Sequence, residues 1–548
     1  MIFNTKDRPI DLTESSREAK KSKVSSCDFP SRTIFPNTTS QPIMHPDEYE
    51  IMANYFSNDF EEQMGFFKIM ADLDNEPFLP LVKNISFLST DITDKQWITY
   101  HKKLGLTQTP RTLIVTCFTK TTEKLQELLL LTPYLKTLKF CDKKRKPLFE
   151  QFAYNRIVYP PNLENLMFDK YSDFFDYQLA HLPLQKLIVG KQFNSDFDKV
   201  VLPACLESLT FGKDFNQRIG KTQLKFCSLK ELVFGDRFDH PLTCVELPKT
   251  LETLVFGFDY SGDINEYDVD LRYTPNLKNL TFGYSFNSDV FYNAVLPDTL
   301  ETLTFGRFFN QPLRRDQLVK TSLKKLIFGD HFDSPSFRFV ELPKTLEILE
   351  FGKDFNHPLD NNQICNTSLH SLIFGARFHG CEHVNNIQGI LVNNNVFKHV
   401  VLPPTLRKLC VSGGTILGSN QLMCTSLTHL TYGGANHRIN NENYYYTHFS
   451  KVKLPSTLKV LEFTYGFNAE LYCQQFSTLQ LEYLKFHGDY NKVIFLEAFC
   501  KPDVQVFTLN ISKNYGLPLV FPNNRQVILI PNRNDRSGTQ KFILSSIV

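Results

Sequence analysis

A seven-residue phrase that returns at a nearly fixed interval constrains this chain more than any other feature. LESLTFG at 206–212 comes back as LKELVFG (229–235), LETLVFG (251–257), LKNLTFG (277–283), LETLTFG (300–306), LKKLIFG (323–329), LEILEFG (346–352) and LHSLIFG (369–375). The phenylalanines of these phrases, from Phe211 to Phe374, lie 23, 22, 26, 23, 23, 23 and 23 residues apart. Self-similarity at a period of about 20–50 residues marks an array in which each unit buries its apolar side against its neighbours. Weaker copies extend it: LENLMFD (163–169) and LQKLIVG (184–190) before, and LRKLCVS (406–412), LTHLTYG (427–433), LKVLEFT (458–464) and LEYLKFH (481–487) after. The intervals Phe374 to Val411 and Tyr432 to Phe463 stretch to 37 and 31 residues. Two copies therefore carry insertions, within 379–399 and around NENYYYTHF, and insertions in such arrays fall in loops.

Each phrase reads as one short strand. Apolar residues hold the first, fourth and sixth places, with β-branched residues between. The glycine that follows suits a positive φ or a close approach, both of which are cheap only without a Cβ. A second phenylalanine comes four residues after the first, at Phe215, Phe238, Phe286, Phe332, Phe355 and Phe378, and is expected to fill the next corner of the coil. Asparagine often follows it (Asn216, Asn287, Asn310, Asn356, Asn468), placed to bond the exposed backbone of a neighbouring turn. A repeat this short leaves little room for a helix on the return path. The segments at 200–203, 244–248, 339–343 and 451–455 read as extended. About fifteen strands stacked at about 4.8 Å predict a parallel sheet about 70 Å long.

The full unit is LPxTLExLxFGxxFNxPL. It is clearest at 296–313 (LPDTLETLTFGRFFNQPL) and 342–359 (LPKTLEILEFGKDFNHPL). It resembles the FNIP repeat, a leucine-rich-repeat relative known mainly from amoebae and their large DNA viruses. Clear motif runs from about 200 to 378 and decayed motif from about 160 to 490. The resemblance implies a β-rich, leucine-rich-repeat-like solenoid of parallel strands used as a protein-interaction scaffold. It brings no catalytic residues and no cofactor.

Copies alternate between a type that begins LP and carries Glu at the second place and a type that begins SL or NL and carries Lys. The row runs Glu207, Lys230, Glu252, Lys278, Glu301, Lys324, Glu347, His370, Arg407. Stacked turns would set opposite charges side by side, either fixing register or forming a binding stripe whose signs cancel. The fifth place reads Thr210, Val233, Val255, Thr281, Thr304, Ile327, Glu350, Ile373, Cys410, Thr431, Glu462. By period two these face away from the Leu and Phe core. The β-branched members (Thr210, Val233, Val255, Thr281, Thr304, Ile327 and Ile373) are good strand formers and also a mildly apolar candidate surface for a partner.

The ends differ from the middle. Residues 1–43 are polar, Ser-rich and read as a disordered tail. Residues 44–80 read as a small helical or mixed cap, or as a degenerate F-box. His45-Pro46-Asp47-Glu48 followed by helical periodicity is similar to an F-box opening, although His45 stands where that family has Leu. That resemblance implies docking to the adaptor of a cullin-type ubiquitin ligase through Pro46, Ile51, Tyr55 and Phe56. The plain alternative is a cap covering the first turn, which solenoids require. Across 81–160, strand-like runs at 82–87, 113–118 and 135–140 alternate with helical segments near 93–103 and 122–131, as in longer, helix-bearing leucine-rich repeats. FNIP-type repeats fill 161–490. Residues 491–548 form a C-terminal cap and tail, with strands at 504–511 and 525–531 and frayed last residues.

The rest of the sequence narrows function by what it lacks. Lys and Arg number 60 against 58 Asp and Glu, so general attraction to nucleic acid or anionic membrane is not expected. The 12 cysteines include no CxxC pair and read as small buried hydrophobes in a reducing compartment. No phosphate-binding glycine loop, HExxH or GxSxG segment occurs. A polar start and the lack of a long apolar run point to the cytoplasm, or the host cytoplasm if the protein is viral. The basic run 142–147 is a solvated turn or a nuclear localisation signal. The expected function is non-catalytic: a scaffold for other proteins, possible ligase recruitment included, or else a purely architectural protein.

Overall fold

The computed structural model describes residues 158–486 apart from 170–176, 198–199, 243–244, 263–270, 379–380, 386–390, 396, 412–414, 434–445, 465–466, 468, 470 and 477. Outside that span it describes 126, 129–130 and 135–141, and the strands 86–88, 112–116, 494–495, 506–511, 519–520, 527–531 and 540–545. The expected tail at 1–43 and the segment 44–80 lie outside the described residues.

One strand per repeat stacks on the next in parallel, without crossing. The main sheet has 20 strands. Two of them, Val527–Pro531 and Gln540–Ser545, are antiparallel, and the other eighteen are parallel, running from Ser86–Leu88 to Val506–Ile511. Register is constant along the stack: Leu280, Leu303, Leu326 and Leu349 sit opposite one another. The central strands are only three residues long, as in Thr302–Thr304, with the middle leucine buried between two half-buried neighbours. The backbone extends the ladder past both strand ends. Lys324 and Lys325 N–H both donate to the Glu301 carbonyl, at 2.8 and 3.0 Å, and Phe305 N–H donates forward to Ile327 at 2.9 Å.

The core is a stack of rings. Phe282, Phe305, Phe328 and Phe351 lie face to face at 5.8, 5.4 and 5.5 Å. The second aromatic column, Phe286, Phe309, Phe332 and Phe355, stacks at 5.8, 6.0 and 5.9 Å. Within one turn the two columns touch, with Phe305 and Phe309 at 3.9 Å. Offset rings at such spacings gain attraction beyond area burial.

The glycine after each strand is there for close approach. Positive φ occurs, among the described residues, only at Gly262 and Gly433. At Gly306 a Cβ would fall 1.6 Å from the carbonyl oxygen of Gly283. The asparagines act as expected. Asn310 N–H donates to Asn287 Oδ1 at 2.8 Å, Asp333 N–H to Asn310 Oδ1 at 2.8 Å and Asn356 N–H to Asp333 Oδ1 at 2.8 Å. Aspartate serves equally, because only the acceptor oxygen is used.

The return path carries short 3-10 turns such as Asp289–Asn293 and Pro335–Phe339, and one four-residue α-helix, Cys473–Phe476. The insertion at 379–399 contains an antiparallel hairpin, Cys381–Asn385 with Leu391–Asn395. Gln540–Ser545 pairs antiparallel with Val506–Ile511 on one side and Val527–Pro531 on the other, and the residues after it lie outside the described ones. Its apolar run Phe542-Ile543-Leu544, flanked by polar residues, suits a short strand that covers the final parallel edge.

Candidate functional site

The alternation of the two repeat types is a difference in how each turn is fastened to the one before it. LP turns place a threonine hydroxyl on the carbonyl of the preceding turn's first leucine: Thr250 on Leu229 at 2.7 Å, Thr345 on Leu323 at 2.8 Å, Thr405 on Leu369 at 2.8 Å. Most of the other turns use glutamine, although the turn of Leu277–Gly283 has Leu271 in that place. Gln317 Nε2 donates to Phe291 and Ala294 carbonyls at 2.7 and 3.3 Å, while its Oε1 accepts from Arg314 N–H at 3.0 Å. Gln363 and Gln421 repeat the donor half, on Phe337 with Val340 and on Phe397 with Val400. Most LP turns also insert a third ring, where the turn at 247–248 has Leu242: Phe291 meets Phe282, Phe286, Phe305 and Phe309 edge-on at 5.2–5.9 Å. Sequence reading separated the two types by their charges and overlooked the glutamine. Its signal was the thrice-written QLVKTSL (317–323), QICNTSL (363–369) and QLMCTSL (421–427).

The fifth-place residues form one continuous column. Thr210 pairs in register with Val233, Val233 with Val255, Val255 with Thr281, Thr281 with Thr304 and Thr304 with Ile327. Ile373 follows one turn beyond Glu350. All seven β-branched positions are half-buried, on the side of the sheet opposite the leucine and phenylalanine core. Beside them runs a third-place column of Ser208, Glu231, Thr253, Asn279, Thr302, Lys325 and Ile348. Together they make a shallow, mixed-polarity strand face. Pro46, Ile51, Tyr55 and Phe56 lie outside the described residues.

The second-place row pairs its charges turn by turn. Lys230 reaches Glu207, Lys278 reaches Glu252 and Lys324 reaches Glu301, each at 2.9 Å, and His370 faces Glu347 at 3.5 Å. The hydrogen bond that the Lys324 ammonium donates to Glu301, with the carboxylate's charge, holds it above the ordinary lysine range. A further charged row follows the glycines: Arg307 with Asp330 at 3.3 Å and Arg377 with Asp354 at 2.9 Å. It is interrupted by exposed rings, Phe258 stacked on Tyr284 at 4.2 Å and Phe308 edge-on to Tyr284 at 5.0 Å.

The chemistry of these groups is that of contact surfaces. Among the described residues no group of three or more His, Cys, Asp or Glu converges as a metal site. Burial pushes the Cys227 thiol up to about 11, and burial also raises Cys410 on the strand face. Neither is an activated nucleophile. No helix among the described residues is long and apolar enough to cross a membrane.

A stack of single parallel strands with a phenylalanine core and short return turns is a leucine-rich-repeat-like solenoid, a class whose extended faces serve protein interaction. The FNIP Repeat family model matches residues 227–259, 274–308, 309–354 and 332–377, so the chain carries FNIP repeats. The last two matches each span 46 residues, the length of one LP turn plus one glutamine turn. Among solved structures the chain is similar to CroV588, described as a novel circular LRR protein. Identity is 25%, the TM-score is 0.52, and the match covers 73% of this chain and 59% of that one. No curated protein sequence matches the chain.

Proposed function

We propose that this protein is a non-catalytic scaffold that holds a partner protein against its strand face, in the cytoplasm. The reading is supported by the unbroken column Thr210, Val233, Val255, Thr281, Thr304, Ile327 and its continuation at Ile373. Short β-branched side chains there leave the sheet open to a partner and offer it apolar contact. A photo-crosslinking residue at Thr281 or Thr304 should yield specific adducts with a partner protein. The same residue at Phe339, on the return path, is the comparison. Adducts from Phe339 alone would overturn the assignment of the face.

A second reading has one observation in its favour, the F-box-like sequence from His45 to Glu48 ahead of the repeats. In it, Pro46, Ile51, Tyr55 and Phe56 dock on a cullin-ligase adaptor and the solenoid recruits the substrate. Tyr55→Ala with Phe56→Ala should abolish co-precipitation of the adaptor while the repeats stay folded. Failure of the intact chain to capture the adaptor would leave 44–80 as a cap.

A further inference from the structure

The charge compensation along the second-place row breaks at one step. From Glu207 to Glu347 every LP turn contributes an acid. The next two LP turns, LPPTLR (402–407) and LPSTLK (454–459), contribute Arg407 and Lys459 instead. Four consecutive turns thus read His370, Arg407, Thr428, Lys459, with no acid among them. Lys459 finds Glu482 at 2.7 Å and His370 faces Glu347. Arg407 and its neighbour Lys408, both exposed, have no ion-pair partner among the described residues. His429 lies opposite Lys408 in register and is also exposed. Like charges left side by side at strand spacing cost stability, so this step departs from a pattern that the preceding turns keep.

We propose that the step at Arg407 and Lys408 is the docking point for a short, extended, acidic segment of the partner protein. The proposal rests on the strand face being the partner surface and names the chemistry it selects there. Charge complementarity identifies the occupant, and the flanking acids set its length. Glu350 lies two turns before Cys410 in the fifth-place column and Glu462 two turns after it. Four steps of about 4.8 Å bound the cationic window to about 19 Å, or about six residues of extended peptide at about 3.3 Å each. A nucleic acid backbone needs a longer uncompensated track, and the paired row before Glu347 offers none. Arginine also provides a planar fork for bidentate carboxylate recognition.

The test uses the full chain and fluorescein-labelled hexaglutamate, read by anisotropy, with hexalysine as the control probe. Wild type should bind hexaglutamate at low salt and release it near 1 M, where the screening length falls to about 3 Å. Arg407→Glu with Lys408→Glu should weaken binding about tenfold or more. Arg407→Gln with Lys408→Gln should give a smaller loss, and it decides the matter if the charge-reversed chain fails to melt cooperatively. Phe339→Arg, exposed on the return path and outside the strand face, should leave hexaglutamate affinity unchanged. Wild type that ignores hexaglutamate, or binds hexalysine as well, would overturn the proposal, as would glutamine variants that bind like wild type. Adducts at Thr281 or Thr304 alongside such a result would leave the strand-face reading standing and remove only its acidic occupant.

Discussion

Phe305 concentrates the packing of the array in one residue. It is 3% exposed and touches rings in its own turn and both neighbours: Phe309, Phe282, Phe328 and Phe291. Truncation opens a cavity that stacked backbones cannot collapse into, so Phe305→Ala should cost about 3–5 kcal/mol. Because each turn contacts only its neighbours, faster hydrogen exchange should centre on 280–350 and fade beyond it. An unchanged exchange pattern there would refute the assignment. Gly306 is sensitive for the opposite reason. The adjacent backbone leaves no room for a methyl group, 1.6 Å from the Gly283 carbonyl oxygen, which accepts from Phe286 N–H in its own turn. Gly306→Ala, which usually stabilises a compatible site by about 0.4–1 kcal/mol, should here destabilise by more than that in chemical denaturation.

At the scale of the element, register is the quantity to test. Lys324 and Glu301 come from different turns and meet at 2.9 Å only if those turns stack in the observed phase. Glu301→Lys sets three cations in a row, and adding Lys324→Glu should recover part of the lost melting temperature. Absence of recovery would mean the side chains do not meet in solution. Strand phase, the two phenylalanine columns, the asparagine ladder and the outward column at Thr281 and Thr304 were all legible in the sequence. The period places them, and Leu or Phe can occupy only one side of so thin a coil. The glutamine was not legible by the same route. It lies outside the repeated phrase, six residues before the first leucine, and its partners are backbone carbonyls that sequence cannot display. Nor was the break at Arg407, which stood in the row simply as its last member until the pairings on either side were known. Gln317→Leu should expose the value of the fastening. It removes the donor to the Ala294 carbonyl and one of the two donors to the Phe291 carbonyl, a loss of about 1–3 kcal/mol in unfolding free energy.

For the whole molecule, the two fastenings mean that the unit of construction is two turns. Removing residues 309–354 joins Phe308 to Phe355 and takes out one glutamine turn and one LP turn. Gln363 then follows the turn of Phe291 and Ala294 and can donate to their carbonyls in place of Gln317. His370 comes to lie beside Glu301, and Asn356 N–H can take Asn287 Oδ1. Every interface that results already exists elsewhere in the chain. Removing 309–331 instead takes out a single turn and brings two LP turns together. Glu347 then stands next to Glu301, Phe337 competes with Phe291 for one corner, and no glutamine reaches the Phe291 and Ala294 carbonyls. The longer deletion should therefore melt cooperatively, near the parent's temperature, while the shorter one melts lower or loses its sharp transition. Circular dichroism melts of the two deletions decide between them. A single-turn deletion as stable as the double would mean that the turns are interchangeable and that glutamine and threonine fastenings carry no register of their own.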